Sequence, residues 1–288
     1  MTDELPQPMV SAEWLEEHLH EPGLSILDAS WYLPAQGRDA EEEYEAGHIP
    51  GAVFFDQDLV VEPGSDLPHT LPSPRHFAQH VGSMGVAVHD RIVVYDGPGF
   101  FTAPRVWWML RTMGAKNVAV LSGGADGWKA EGRPVTKEPT KVAPCLFETD
   151  FDENAVVSLD EMKAVAGSGD AVIVDARPAG RFTGEEPEPR EGMKSGHIPG
   201  SRNVPTTSLS KDGALKDEAA LASLFEDAGV QKDRPVITSC GSGVTAAALL
   251  LALEQAGYEN VRLYDGSWSE WGSRPETDVE TGPARAGG

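Results

Sequence analysis

The segment Thr238-Ser239-Cys240-Gly241-Ser242-Gly243-Val244-Thr245-Ala246 carries the residue types that nucleophilic sulfur chemistry needs. A β-rich run, PVITS, leads into Cys240, and the apolar run AAALLLALEQAG follows, so the cysteine stands between a strand and a helix. Open α/β sheets place their ligand crevices at such carboxyl ends. Gly241, Ser242 and Gly243, in the loop CGSGVT, let the backbone turn its N–H groups inward just before the helix starts. The result is an anion nest at the positive helix end. The nest and the helix end both favour thiolate, the attacking form of cysteine, and the same donors stabilise a persulfide. A cysteine phosphatase uses a related cradle, but an arginine must close its loop to clamp phosphate. Six residues after Cys240 this chain carries Ala246, which argues against that chemistry.

The elements that position this loop occur twice. GHIPG at 47–51 recurs at 196–200, and ILDA at 26–29 recurs as IVDA at 173–176. RIVVYDGPG at 91–99 aligns with RPVITSCGSG at 234–243, and SGGADGW at 122–128 answers DGSWSEW at 265–271. Identical order at so long a period indicates a duplicated domain rather than a solenoid. Residues 1–138 form the first copy and 156–288 the second. The Pro- and charge-rich stretch 139–155 reads as an exposed linker. Ser158 and Glu161 form a capping box that opens a helix. Apolar strands then alternate with helices, as in a parallel sheet covered on both faces. The expected fold class is α/β, with two tandem domains side by side, each a mainly parallel sheet flanked by helices. Asp96 falls opposite Cys240 and cannot form a persulfide, so the first copy is expected to be catalytically inactive.

Bulk properties narrow the function classes. The 288 residues include 23 Lys plus Arg against 46 Asp plus Glu, a formal net charge of −23. Such a surface repels phosphate backbones, which argues against nucleic acid as a partner. An anionic substrate therefore needs a local cluster of arginines. No apolar run approaches the ~20 residues that span a bilayer, and MTDELPQPMV lacks signal-peptide regions, so a cytoplasmic location is expected. The two cysteines do not suggest a disulfide framework. No His or Cys pair has metal-ligand spacing, so no metal site is read. Cys145 lies in the linker and is read as incidental. His48 and His197 occur in both GHIPG copies, which points to a structural part. Trp107, Trp108, Trp128, Trp268 and Trp271 are read as packing.

The duplicated GHIPG, the strand ending in cysteine and the Asp-Gly-x-Trp segment together resemble the tandem rhodanese family, over about Val10 to Asp278. That resemblance implies sulfur transfer through a Cys240 persulfide, with no cofactor. CGSGVTA is similar to the loop of family members that act on 3-mercaptopyruvate, whereas thiosulfate-using members place basic residues after the cysteine. A neutral Gly241-Ser242 suits a thiol donor. GRFTGEEPEPR resembles the family's substrate loop, which implies that Arg181 and Arg190 hold a carboxylate and a keto oxygen. The planar arginine fork matches that task, although Glu185, Glu186 and Glu188 compete for it. Asp58, His69 and Ser242 match a proton relay in the family, with Asp56 a neighbouring rival to Asp58. Gly241, Gly243, Val244 and Thr245 line the substrate side of the loop. The implied acceptor is cyanide, a small thiol or a thioredoxin-like protein. Thiosulfate as donor, or a non-catalytic sulfur-relay module, are the alternatives.

Overall fold

The computed structural model describes residues 5–284. Backbone contacts divide the chain into two compact units. The first comprises Met1–Pro63, Leu71–Asp152 and Lys211–Leu215, and the second Gly64–Thr70, Glu153–Ser210 and Lys216–Gly288.

In the first unit, strands β1 (Met9–Val10), β2 (Leu24–Asp28), β3 (Ala52–Phe54), β4 (Arg91–Tyr95) and β5 (Val118–Leu121) form one sheet in the order β1-β5-β4-β2-β3. All its pairings are parallel. Helices α1 (Ala12–His18), α2 (Ala40–Ala46), α3 (Pro74–Ser83), α4 (Ala103–Thr112) and α5 (Gly124–Ala130) connect and cover it. The second unit repeats the plan. Strands β6 (Val156–Val157), β7 (Val172–Asp175), β8 (Arg202–Asn203), β11 (Val236–Ser239) and β12 (Val261–Tyr264) run in the order β6-β12-β11-β7-β8, again all parallel. Its helices are α6 (Leu159–Ser168), α7 (Ala179–Thr183), α8 (Glu218–Asp227), α9 (Val244–Gln255) and α10 (Ser267–Trp271). A small hairpin, β9 (Ser210–Lys211) and β10 (Ala214–Leu215), completes the fold.

Central strands β4 and β11 are buried along their whole length, as their unbroken apolar runs require. Helix α9 is buried from Ala246 to Leu253 and apolar on every side, which places it against the sheet rather than at the surface. The Ser158–Glu161 capping box forms, with the Glu161 carboxylate accepting the Ser158 N–H at 2.9 Å. All five tryptophans assigned to packing are buried. The two-residue edge strands β1 and β6, and the five-residue α7, are too short to leave a periodic pattern.

The stretch expected to be a linker has no strand or helix between 139 and 152, yet it is tied to the first unit. Cys145 N–H donates to the Gly82 carbonyl at 2.9 Å, and Asp150 N–H to the Met113 carbonyl at 3.0 Å. Phe147 is buried edge-on against Phe77, with ring centroids 5.5 Å apart. One apolar side chain is enough to anchor an otherwise polar segment.

Candidate active site

Strand β11 delivers Cys240 to the carboxyl edge of the second sheet, where the side chain is buried. The loop turns at Gly243, whose φ of +81° is the left-handed conformation open to glycine, and α9 begins at once. Helix α10 fixes the loop from the other side. Trp268 N–H donates to the Cys240 carbonyl at 2.9 Å, and Ser269 N–H to the Gly241 carbonyl at 2.8 Å. The Cys240 N–H donates to Ser267 Oγ at 3.1 Å. Ser267 holds φ +48°, a strained value for a residue with a Cβ, and its hydroxyl donates onward to the Tyr264 carbonyl at 2.9 Å.

The first unit contains an internal copy of this loop. Ala125 and Asp126 N–H groups bond the Asp96 and Gly97 carbonyls at 2.8 and 2.9 Å, as Trp268 and Ser269 do in the second. Gly124 (φ +57°) stands in the place of Ser267. The fully buried Asp96 carboxylate accepts backbone N–H groups from Gly99 (2.5 Å), Phe101 (2.9 Å), Thr102 (2.6 Å) and Ala103 (2.8 Å). The loop type is therefore an anion nest, and in the first repeat its own side chain fills it. By the register of the repeat, Cys240 stands where Asp96 stands, and Gly243 where Gly99 stands.

Two arginines reach this loop. Arg190 donates to Ser269 Oγ at 2.8 Å, and that same hydroxyl donates to the Gly241 carbonyl at 2.7 Å. Arg181 Nη2 lies 3.2 Å from where a Cβ on Gly241 would sit. Behind Arg181 runs a buried ladder of charges. Arg177 forks onto Asp175 (Nε 2.9 Å, Nη2 2.7 Å to Oδ2) and reaches Glu188 Oε1 at 2.7 Å. Glu188 in turn bridges Arg181 through Oε2, with Nε 3.3 Å from Oε1. The Arg177 guanidinium also lies over the Trp268 ring at 4.2 Å. Burial lowers the pKa of Arg190, the like charge of Arg181 lowers it further, and Glu188 opposes both. Burial works the same way on Arg177, but Asp175 and Glu188 outweigh it and raise its pKa.

Of the expected site residues, Cys240, Gly241, Arg181 and Arg190 come together here. Ser242 lies in the loop, and Gly243, Val244 and Thr245 cap and open α9. His69 has φ +52° and sits in Gly64–Thr70, a segment that groups with the second unit rather than the first. Asp58 belongs to the first unit, where its carboxylate accepts the Trp31 indole N–H at 3.0 Å. Its neighbour Asp56 accepts the Asp58 backbone N–H at 2.8 Å. Of the acidic neighbours, it is Glu188 that takes the Arg181 guanidinium. Arg177 was not foreseen. The signal lay in the repeat itself, where Asp28-Ala29-Ser30 answers Asp175-Ala176-Arg177.

The GHIPG histidines are structural in both units. His48 stacks on Tyr44 at 4.0 Å and bonds its carbonyl at 2.8 Å; His197 stacks on Phe182 at 3.8 Å and bonds its carbonyl at 2.8 Å. Cys145 is exposed, with a thiol pKa raised first by burial and then by Asp90. Among the described residues, no group of three or more His, Cys, Asp or Glu is placed to hold a metal ion, and no helix is long and apolar enough to cross a membrane.

The rhodanese-like domain model matches twice, over residues 11–131 and 158–274. The chain is 45% identical over 272 residues to the 3-mercaptopyruvate sulfurtransferase of Escherichia coli K12, covering 94% of this chain and 97% of that protein. It is 42% identical over 288 residues to the thiosulfate sulfurtransferase of Cricetulus griseus, covering 96% and 97% of the two chains. The crystal structure of SseA from Escherichia coli, a 3-mercaptopyruvate sulfotransferase, superposes with a TM-score of 0.84 at 44% identity, covering 91% of this chain and 99% of that one. Matching domain models on both repeats, with relatives that span nearly its whole length, show that this chain belongs to the rhodanese family as a tandem two-domain member.

Proposed function

We infer that the chain is a 3-mercaptopyruvate sulfurtransferase working through a persulfide on Cys240. The observation that carries the donor assignment is the convergence of Arg181 and Arg190 on a loop whose residues after the cysteine, Gly241 and Ser242, are neutral. Relatives of both donor classes match at similar identity, so the loop is the better guide.

Arg190 and Arg181 hold the donor's carboxylate and keto oxygen with its thiol sulfur facing Cys240. The Cys240 thiolate attacks that sulfur. The carbon–sulfur bond breaks, its electron pair passes to the departing carbon as pyruvate enolate, and the enolate takes a proton to become pyruvate. Cys240 keeps the sulfur as a persulfide, in the register that Asp96 occupies in the first repeat. Gly243 and the first turn of α9, with Val244 and Thr245, supply the N–H donors. A nucleophilic acceptor then removes the outer sulfur and regenerates the thiolate, which is ping-pong chemistry. Sulfur passes from the donor carbon to the Cys240 sulfur and then to the acceptor, leaving the carbon–sulfur electron pair on the departing enolate, so the transfer needs no cofactor. Ser242, His69 and Asp58 are the groups for proton transfer. The acceptor is a small thiol, cyanide or a reduced thioredoxin-like protein. A cytoplasmic setting, where such dithiols stay reduced, belongs to the same reading.

Comparing kcat/KM for the two donors with one acceptor tests the assignment. Mercaptopyruvate is expected to win by at least about tenfold, ~1.4 kcal/mol in transition-state binding. A preference for thiosulfate overturns the donor and leaves Cys240 in place. Failure to release pyruvate at all makes the protein a relay module.

A further inference from the structure

We propose that Glu188 sets the donor preference of this site, by holding the surplus positive charge beside the Cys240 loop at one.

The charges can be counted. Asp175, Arg177, Glu188 and Arg181 form one connected ladder, and Arg190 joins the same loop through Ser269. Three guanidinium groups face two carboxylates, which leaves one positive charge over. Both carboxylate side chains are almost fully buried, at 3% and 2% exposure, so solvent does little to screen them. A mercaptopyruvate carboxylate cancels that surplus. A thiosulfate dianion leaves one uncompensated negative charge in a protein already carrying −23. Glu188 is the member of the ladder that touches Arg181, so its charge decides whether Arg181 counts toward the ligand.

The first repeat gives an independent comparison. Glu43 precedes Tyr44, the ring stacked on the GHIPG histidine, as Arg181 precedes Phe182. Asp126 stands in the place of Ser269. There Arg38 is held by both carboxylates, Glu43 at 2.6 Å and Asp126 at 2.8 Å, a net negative arrangement with no charge left for an anion. Phe182 lies fifteen residues before His197, whereas Tyr44 lies four before His48. The insertion this implies is the stretch that carries Glu188 and Arg190. In the second repeat Arg181 and Ser269 stand for those two carboxylates, Arg177 stands for Ser30, and the insertion adds Glu188 and Arg190. The charge at this spot is a second difference between the two copies, beside Asp96 against Cys240.

The inference rests on the sulfurtransferase reading, and the experiment separates the two. Both donors are assayed with wild type, Glu188→Gln, Arg181→Gln and the double variant, each checked for cooperative unfolding. Glu188→Gln raises the surplus to two, and the thiosulfate-to-mercaptopyruvate ratio of kcat/KM is expected to rise at least tenfold. Arg181→Gln lowers the surplus to zero; both donors lose a contact and turn over more slowly, but the dianion loses more, so the ratio moves the other way. It also keeps the test alive should Glu188→Gln fail to fold. The double variant restores a surplus of one and returns the ratio to within about threefold of wild type. Equal losses with both donors in Glu188→Gln mean that Glu188 only orients Arg181, and overturn the proposal. So does a ratio that Arg181→Gln leaves unchanged. A wild type that prefers thiosulfate removes the donor reading, while the shifts between variants still decide the role of Glu188.

Discussion

At Arg190 the guanidinium donates to a hydroxyl, Ser269 Oγ, whereas Arg181 spends its donors on Glu188. A fork committed to a buried carboxylate is oriented but partly neutralised; one resting on a hydroxyl keeps its charge for a ligand. Arg190→Lys retains charge and loses the fork. A charged hydrogen bond of this kind is worth about 1.5–3 kcal/mol, so mercaptopyruvate kcat/KM is expected to fall about tenfold or more, read in steady-state kinetics. Unchanged turnover means the substrate loop has been misplaced. Cys240, Arg181 and Arg190 were legible because residue type and a family-like spacing coincide. Ser267 was not, since a serine at positive φ looks like any serine in a chain of letters. The part played by Glu188 was hidden because Glu185, Glu186 and Glu188 are equivalent until folding buries one of them.

The strand–loop–helix unit differs between the repeats in what fills its nest, a carboxylate in the first and a cysteine in the second. Asp96 satisfies four backbone N–H groups, three of them on buried residues. Asp96→Ala strands them at roughly 1–3 kcal/mol each before water or local relaxation compensates. A loss of at least about 3 kcal/mol is expected in denaturant unfolding, a large part of an ordinary domain's ~5–15 kcal/mol. The paired turn at His197 makes a second, pH-dependent contribution. Burial lowers its pKa below 6.5, with Arg177 acting the same way, while the Phe182 carbonyl, Glu280 and Asp175 oppose them. The folded state thus binds fewer protons than the unfolded one in that window. Stability is full above about pH 6.5 and is lost as pH falls toward the depressed folded value. Between pH 7.5 and 5.5, wild type should lose more stability than His197→Asn, measured by urea midpoints at each pH; parallel losses remove His197 from the account. Long buried strands and the apolar α9 were readable from pattern alone. The edge strands β1 and β6 and helix α7 were not, because tertiary pairing rather than local sequence creates them.

On the scale of the whole molecule, duplication was the easiest property to read, since GHIPG and its neighbours repeat in fixed order. The attachment of 139–152 to the first unit was hidden, because Phe147 alone distinguishes it from a solvated linker. The net charge of −23 makes self-repulsion a global term. Thermal midpoints should therefore rise between low salt and about 0.5 M sodium chloride, where the screening length drops to a few ångströms; a midpoint indifferent to salt shows that the acidic surface is spread too thinly to matter. The central claim is that sulfur is carried on Cys240, and peptide mass spectrometry after a single incubation with 3-mercaptopyruvate tests it most directly. The account predicts one pyruvate released per enzyme, one added sulfur atom on the Cys240 peptide, none on the Cys145 peptide, and neither product from Cys240→Ser. Pyruvate release that survives Cys240→Ser, or sulfur found on Cys145 instead, would contradict it.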